Sequence, residues 1–301
     1  MVSSHPPLFD HHLLRARRAR AAALGPSTFL LERAADDLSD RLAAVRRRFE
    51  RALDLGTPTD ALRRVLAASG KVGTIIAAHA PGVPVVDRAS LALVIDEEAL
   101  PLREGSLDLV VSALALQFVN DLPGALIQIR RALVPDGLLL AALAGGDTLT
   151  ELRQAFAAAE AEIEGGASPR VVPFADVRDM GALLQRAGFA LPVTDVDRIT
   201  VRYPSPIALL QDLRRMGAAN PLIERSRRPL KRATLTRMVE LYGERFSDRD
   251  GRVRATFELI WLSGWAPHAS QQKPLAPGSA QVRLADALGT KEIPTGEKAG
   301  S

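Results

Sequence analysis

The chain has 301 residues, 47% apolar and 25% charged, a balance that fits a soluble fold with a sizeable core in one large domain or two ordinary ones. No apolar run reaches the roughly 18 residues a membrane span needs, and the absence of cysteine excludes disulfides, thiolate metal sites and a cysteine nucleophile. The net charge of +4 is carried by arginine, with only five lysines among 39 cations, an imbalance a GC-rich genome produces; aromatics, at 4%, are too sparse for a basic face with stacking rings, so no nucleic-acid partner is expected.

In chain order, residues 1–9 read as an irregular leader. Phe9 to Ala23, with Arg15, Arg17, Arg18 and Arg20, reads as a basic helix. Such an Arg-rich, acid-poor start also has the composition of a mitochondrial transit peptide. It lacks serines beyond Ser3 and Ser4, however, and runs straight into the folded region, so a structural helix is expected, with partner docking as its alternative role. Phe29 to Phe49 has the apolar spacing of an amphipathic helix (Leu30, Leu31, Ala34, Leu38, Leu42, Val45). Strands are expected at Ala52–Leu55, Val72–Ala78, Leu91–Ile95, Leu107–Ser112 and Gly137–Leu143. Helices intervene at Asp60–Ser69, closed by Gly70, and at Leu122–Leu133, closed by the turn Pro135-Asp136-Gly137. This alternation predicts a doubly wound, parallel α/β sheet.

The second half continues with helices at Leu149–Glu164 and Asp176–Ala187, a strand at Val193–Val201, helices at Pro206–Met216 and Pro229–Tyr242, and a last strand at Val253–Trp265. The expected organisation is an N-terminal helical extension at 1–48, a domain at 49–266 and a flexible tail rich in Pro, Gly, Ser and Gln at 267–301.

Four segments could carry chemistry. Asp54-Leu55-Gly56 ends the first strand, where such sheets place a ligand loop, and Gly56 allows a close backbone approach. Asp96-Glu97-Glu98 follows the third strand and could accept hydrogen bonds from a ribose or an amino group, or form a solvated acidic loop. Ser112, then Gln117, Asn120 and Asp121, lie after the fourth strand, over the carboxyl-end crevice. Gly145-Gly146-Asp147-Thr148 follows the fifth, where tight packing alone could require the glycines. The five histidines have no metal-site spacing, and no nucleophile elbow or phosphate loop is present.

Together these segments resemble the class I S-adenosylmethionine-dependent methyltransferases. More narrowly, the chain is similar to the respiratory complex I assembly factor 5 family and its alphaproteobacterial relatives. The most specific stretches are Asp96-Glu-Glu-Ala-Leu-Pro101, Phe118-Val-Asn-Asp-Leu-Pro123, Leu133-Val-Pro-Asp-Gly137, Gly145-Gly-Asp-Thr-Leu149, Glu164-Gly165-Gly166 with Ala167-Ser168-Pro169, and Gly264-Trp265. The resemblance implies a seven-stranded Rossmann-like sheet with its last strand antiparallel, and S-adenosylmethionine at the carboxyl ends of the first four strands. Asp54, Gly56, His79, Asp96, Glu97 and Ser112 would hold that cofactor, while Gln117, Asn120 and Asp121 would face the substrate; no catalytic residue or metal ligand is assigned.

The chain departs from the family pattern at the first loop, where Pro58 and Asp60 replace glycines. It departs again at the end of the second strand, where His79 replaces the acid that binds both ribose hydroxyls, and Asp87 comes several residues late. Three functions follow from the resemblance: a methyltransferase acting on a protein or in complex I assembly, a non-enzymatic assembly factor on the same fold, and a protein arginine hydroxylase. The implied partner is a respiratory complex I subunit, with peripheral membrane contact open. The location expected is the cytoplasm, which the lack of cysteine suits.

Overall fold

A computed structural model describes residues 6–81, 91–272 and 284–291. Seven strands form one sheet: β1 (Phe49–Leu55), β2 (Val72–His79), β3 (Leu91–Val94), β4 (Leu107–Ala113), β5 (Leu133–Ala144), β6 (Ala190–Tyr203) and β7 (Val253–Trp265). Their order is β3-β2-β1-β4-β5-β7-β6. The pairs from β3 across to β5 are all parallel, and β7 runs antiparallel to both β5 and β6. The expected seven-stranded sheet with its last strand antiparallel is therefore the observed one. The chain winds outward from β1 to β3, then crosses back to place β4 on the other side of β1. That reversal opens a crevice at the carboxyl ends of β1 and β4.

Side chains of the central strands alternate between two cores, as the two-residue period of a strand requires. Leu109, Val111 and Ala113 of β4, with Leu138, Leu140 and Ala142 of β5, pack against α2 (Phe29–Ala44) and α3 (Ala61–Ala68). Val110, Leu139, Ala141 and Leu143 face the opposite way, onto α4 (Leu122–Ala132) and α6 (Val177–Arg186). Burial on both faces is why these strands read as continuous apolar runs. A third cluster joins α5 (Thr150–Glu164), α7 (Pro206–Arg215) and α8 (Arg232–Phe246) to the far half of β7. The first helix, α1 (His11–Ala23), starts on Asp10, whose carboxylate accepts the Leu13 amide at 2.9 Å.

Several boundaries differ from expectation for identifiable reasons. The helix from Phe29 stops at Ala44, because Val45 is extended and Phe49 already pairs with Val72; β1 thus begins three residues before Ala52. The turn at Pro135-Asp136-Gly137 lies within a strand. Leu107 pairs with Leu133 and Leu109 with Leu138, so the turn is a bulge in β5 with Asp136 at φ 62°. β6 extends beyond its expected core because β7 offers a partner as far as Tyr203. The chain beyond Pro267 is a second unit, and its described residues include a short helix, α9 (Leu284–Leu288).

The far side of the sheet is tied to α2 by a cluster around Trp261, beside the Arg33–Asp197 pair. Trp261 on β7 is 1% exposed, the Arg41 guanidinium lies 4.4 Å above its ring, and Arg41 also chelates Asp195 on β6 at 2.7 and 2.8 Å. Trp261→Ala removes the ring that both elements pack on. It should lower the free energy of unfolding by about 3–5 kcal/mol, as read by urea denaturation followed by circular dichroism.

Candidate active site at the carboxyl edge

Gly56 ends β1 at φ 73°, and its amide donates to the Ala78 carbonyl at 2.8 Å. A Cβ there would stand 2.9 Å from Ala115 Cβ and 3.0 Å from Glu97 Oε1, so only glycine fits. The following residue, Thr57, turns inward: its hydroxyl accepts the Ala113 amide at 3.2 Å. The loop then rises through Pro58, Thr59 and Asp60 into α3.

Asp54, two residues earlier on β1, is fully buried and paired with Arg63 of α3 at 2.6 Å. Burial pushes its carboxyl up from 3.8 to about 6, against the opposing pull of the Thr57 hydroxyl and the Arg63 guanidinium. Asp54 Oδ1 and two guanidinium nitrogens of Arg63 make no hydrogen bond. A sequence reading finds Asp54 from its place at a strand end but misses Arg63, because nothing local marks an arginine on an amphipathic helix as inward-facing.

Three of the other expected residues lie at or beside the ends of strands and helices. His79 is the last residue of β2, buried at 3% exposure and in register with Val94; Asp87 lies outside the described residues. Ser112 is buried and donates to the Leu55 carbonyl at 2.7 Å, which ties β4 to β1. Asp121 caps α4 by accepting the Gly124 amide at 2.9 Å.

Asp96, Glu97 and Asn120 are brought together, and it is α1 that engages them. Arg15 pairs with Asp96 at 3.2 Å, and Arg18 with Glu97 at 3.6 Å. The His11 ring lies 3.3 Å from Glu98, and Asn120 Oδ1 accepts the amides of Leu8 and Phe9 at 2.8 and 2.7 Å. Arg18 also lies 5.9 Å from the centre of the Phe118 ring. Burial pulls the Arg18 guanidinium below its usual pKa, and the Glu97 charge opposes that shift. The one sequence signal for this docking is charge complementarity between a basic helix and an acidic loop far away in the chain.

Beneath α1, the residues following β2, β3 and β4 enclose about 20 Å³, room for about one water molecule. With α1 seated, the residues present do not fit an adenosyl group there. On the other side of α1 is a cavity of about 810 Å³. Pro58, Thr59 and Asp60 form one wall and Gln117, Ala144 and Glu258 another, with the apolar sides of α1, α2 and the end of α7 above. Two of its wall residues, Leu114 and Leu149, hold left-handed backbone at φ 53° and 58°. Such a conformation costs a bulky residue about 1–3 kcal/mol, and here it is held by amide bonds to Ala142 and Thr256. Gln117 points an unbonded, buried Oε1 in this region. Gly145 is required by packing, because a Cβ there would collide with the Glu258 carboxylate. Among the described residues no group of three or more His, Asp or Glu could hold a metal ion.

The buried pair makes a pH-dependent prediction. A carboxyl raised from 3.8 to about 6 contributes stability that is complete below pH 3.8 and is lost as pH rises through 6. Arg63→Met removes the only cation paired with Asp54 among the described residues and should cost about 3–5 kcal/mol at pH 7, less at pH 5. Adding Asp54→Asn to the same chain should recover most of the loss and flatten its pH dependence, measured by urea unfolding at both pH values.

A family model described as a methyltransferase domain matches residues 53–141, from β1 through the crevice strands to β5. The arginine-hydroxylase NDUFAF5 of Danio rerio is 36% identical over 286 residues, covering 93% of this chain and 89% of that protein. A malonyl-[acyl-carrier protein] O-methyltransferase of Laribacter hongkongensis is 36% identical over 286 residues, covering 89% of this chain and 94% of that one. Among solved structures, a Bacillus halodurans protein assigned to the methyltransferases superposes with a TM-score of 0.52 at 15% identity, over 77% of this chain and 98% of that one, which speaks for the fold alone. The strand order, the crevice at Gly56 and similarity along nearly the whole length agree: this chain belongs to the NDUFAF5 family of methyltransferase-fold proteins.

Proposed function

We propose that this protein serves respiratory complex I assembly by taking a side chain of a complex I subunit into the cavity at the carboxyl edge, with S-adenosylmethionine as its cofactor. The cavity of about 810 Å³ carries this reading: it adjoins the loop after Gly56, and its walls include two strained leucines. Energy stored in such backbone is characteristic of sites where geometry matters more than stability. The resemblance to the complex I assembly factor 5 family suggests the complex I connection, and the relatives' names supply two chemistries, arginine hydroxylation and O-methyl transfer on a malonyl-[acyl-carrier protein]. Methyl transfer asks the protein mainly to align acceptor and donor and to exclude water, and a cavity with a largely apolar lining does both. Hydroxylation would in addition need dioxygen to supply the oxygen atom and a reducing co-substrate to supply the two electrons that take the second oxygen atom to water.

A second reading has a specific observation behind it. Pro58, Asp60 and His79 depart from the cofactor pattern, and α1 covers the acidic loop, as expected of an assembly factor that keeps the fold as a platform without catalysis. The location proposed is the cytoplasm or the cytoplasmic face of a membrane. Among the described residues no helix is long and apolar enough to cross one.

The readings separate in one experiment. Deleting the gene should abolish assembled complex I on native gels under all of them. Mass spectrometry of the complex from the complemented strain then finds a subunit residue carrying a methyl group, an added oxygen, or neither. Ala22→Trp tests the cavity itself, because Ala22 is solvent-exposed and its side chain borders the cavity. It should leave the melting temperature within a few degrees of wild type yet reduce modification, or complex assembly, by about tenfold or more. Unchanged modification and assembly would rule the cavity out as the substrate site.

A further inference from the structure

Arg18 and Phe118 border both the large cavity and the small space beneath α1, so they form the wall between the two. On the small side stand Ala80, Glu97, Ala115 and Val119, the residues that follow β2, β3 and β4. On the large side stand Pro58, Thr59 and Asp60, which follow β1. A ligand with a nucleoside at one end that lay over Gly56 would cross from one space to the other, and this wall stands in its path.

Phe9 and Leu14 pack with Phe118 in a small apolar cluster, and polar contacts hold the rest of α1 against the edge. Within α1 only Leu14 and Ala21 are buried, whereas Arg15, Arg18 and His11 meet Asp96, Glu97 and Glu98 in turn. A nucleoside offers the same acids hydroxyl and amino donors, and a flat ring for Phe118, so it can replace the α1 contacts group for group while the arginines return to water. The chain at the end of α1 can accommodate such a movement: Gly25 holds φ 80° and Pro26 follows, a junction outside any helix.

We propose that α1 is an intramolecular stand-in for the nucleoside end of the ligand, a strap that closes the site through Arg15 and Arg18 and must swing away before an adenosyl group binds. This inference rests on the S-adenosylmethionine reading above and deepens it. Displacement of α1 joins the small space to the large cavity, and the apparent affinity is the intrinsic one reduced by the fraction of molecules with the strap displaced.

The test uses the full chain and S-adenosylhomocysteine as the calorimetric probe. Arg15→Ala/Arg18→Ala should bind it at least about tenfold more tightly than wild type. A second variant guards against a folding defect in the first. Phe9 and Leu222 are antiparallel partners flanked by the bonds Asp10 N–H to Pro221 O and Ile223 N–H to Leu8 O. That is a non-hydrogen-bonded pair, with Cα atoms about 4.5 Å apart and within reach of a disulfide. The chain has no cysteine of its own, so Phe9→Cys/Leu222→Cys makes a unique bridge that pins the start of α1. The oxidised form should bind at least about tenfold more weakly than the same protein reduced. Tight binding by wild type that neither variant alters, or weaker binding by the arginine variant, overturns the strap and leaves the cofactor reading standing. No binding by any form at millimolar probe overturns both.

Discussion

The approach of four chain segments at Gly56 sets the geometry of the whole carboxyl edge. Its amide bonds the end of β2, its α-carbon faces Ala115 beyond β4, and the Glu97 carboxylate from the loop after β3 lies against it. No side chain fits there, and the left-handed φ is one that glycine adopts without penalty. Because strands β1, β2 and β4 meet through this residue, the acidic loop is fixed relative to the loop after β1, and α1 then docks on the acidic loop. A residue that in the wider family lets a ligand approach the backbone here lets the protein's own glutamate do so.

Charge placement follows the same economy. Two cations beside the crevice each face an acid: the buried Arg63 faces Asp54 beneath the loop, and the partly buried Arg18 faces Glu97 above it. Neither pair is a strong source of stability, since removing two charges from water offsets most of their attraction. Their effect is positional. Arg63 holds α3 against the end of β1, and Arg18 holds α1 across the crevice, so the two helices bracket the loop from below and above. The large cavity lies beside this bracket, where α1, α2 and the end of α7 roof the sheet.

Much of this was legible in the order of residues. The alternation of strands and helices announced a doubly wound sheet with parallel pairing. Asp54, Gly56 and the loop after β3 could be placed at the carboxyl edge because strand ends fix where a loop emerges. Errors came where a distant partner decided the outcome. Phe49 joined β1 because Val72 lay beside it, and the turn at Asp136 became a bulge because β4 and β7 paired on either side of it. The polar residues after β4 could be located but not assigned: Ser112 and Asp121 bond the backbone, and Asn120 secures the segment entering α1.

The sequence by itself determined the fold class, the strand count, the family and which loops emerge at the carboxyl edge, because each depends on local periodicity, turn chemistry and motifs a few residues long. Only the tertiary structure decided what those motifs touch. That Asp54 is matched by Arg63, that Asp96 and Glu97 are met by Arg15 and Arg18, and that one helix divides a small space from a large cavity are pairings between segments nine to some eighty residues apart. Nothing in the local chain encodes such distances; they exist once the sheet has twisted, its two faces have been covered, and the helices have come to rest over its carboxyl edge.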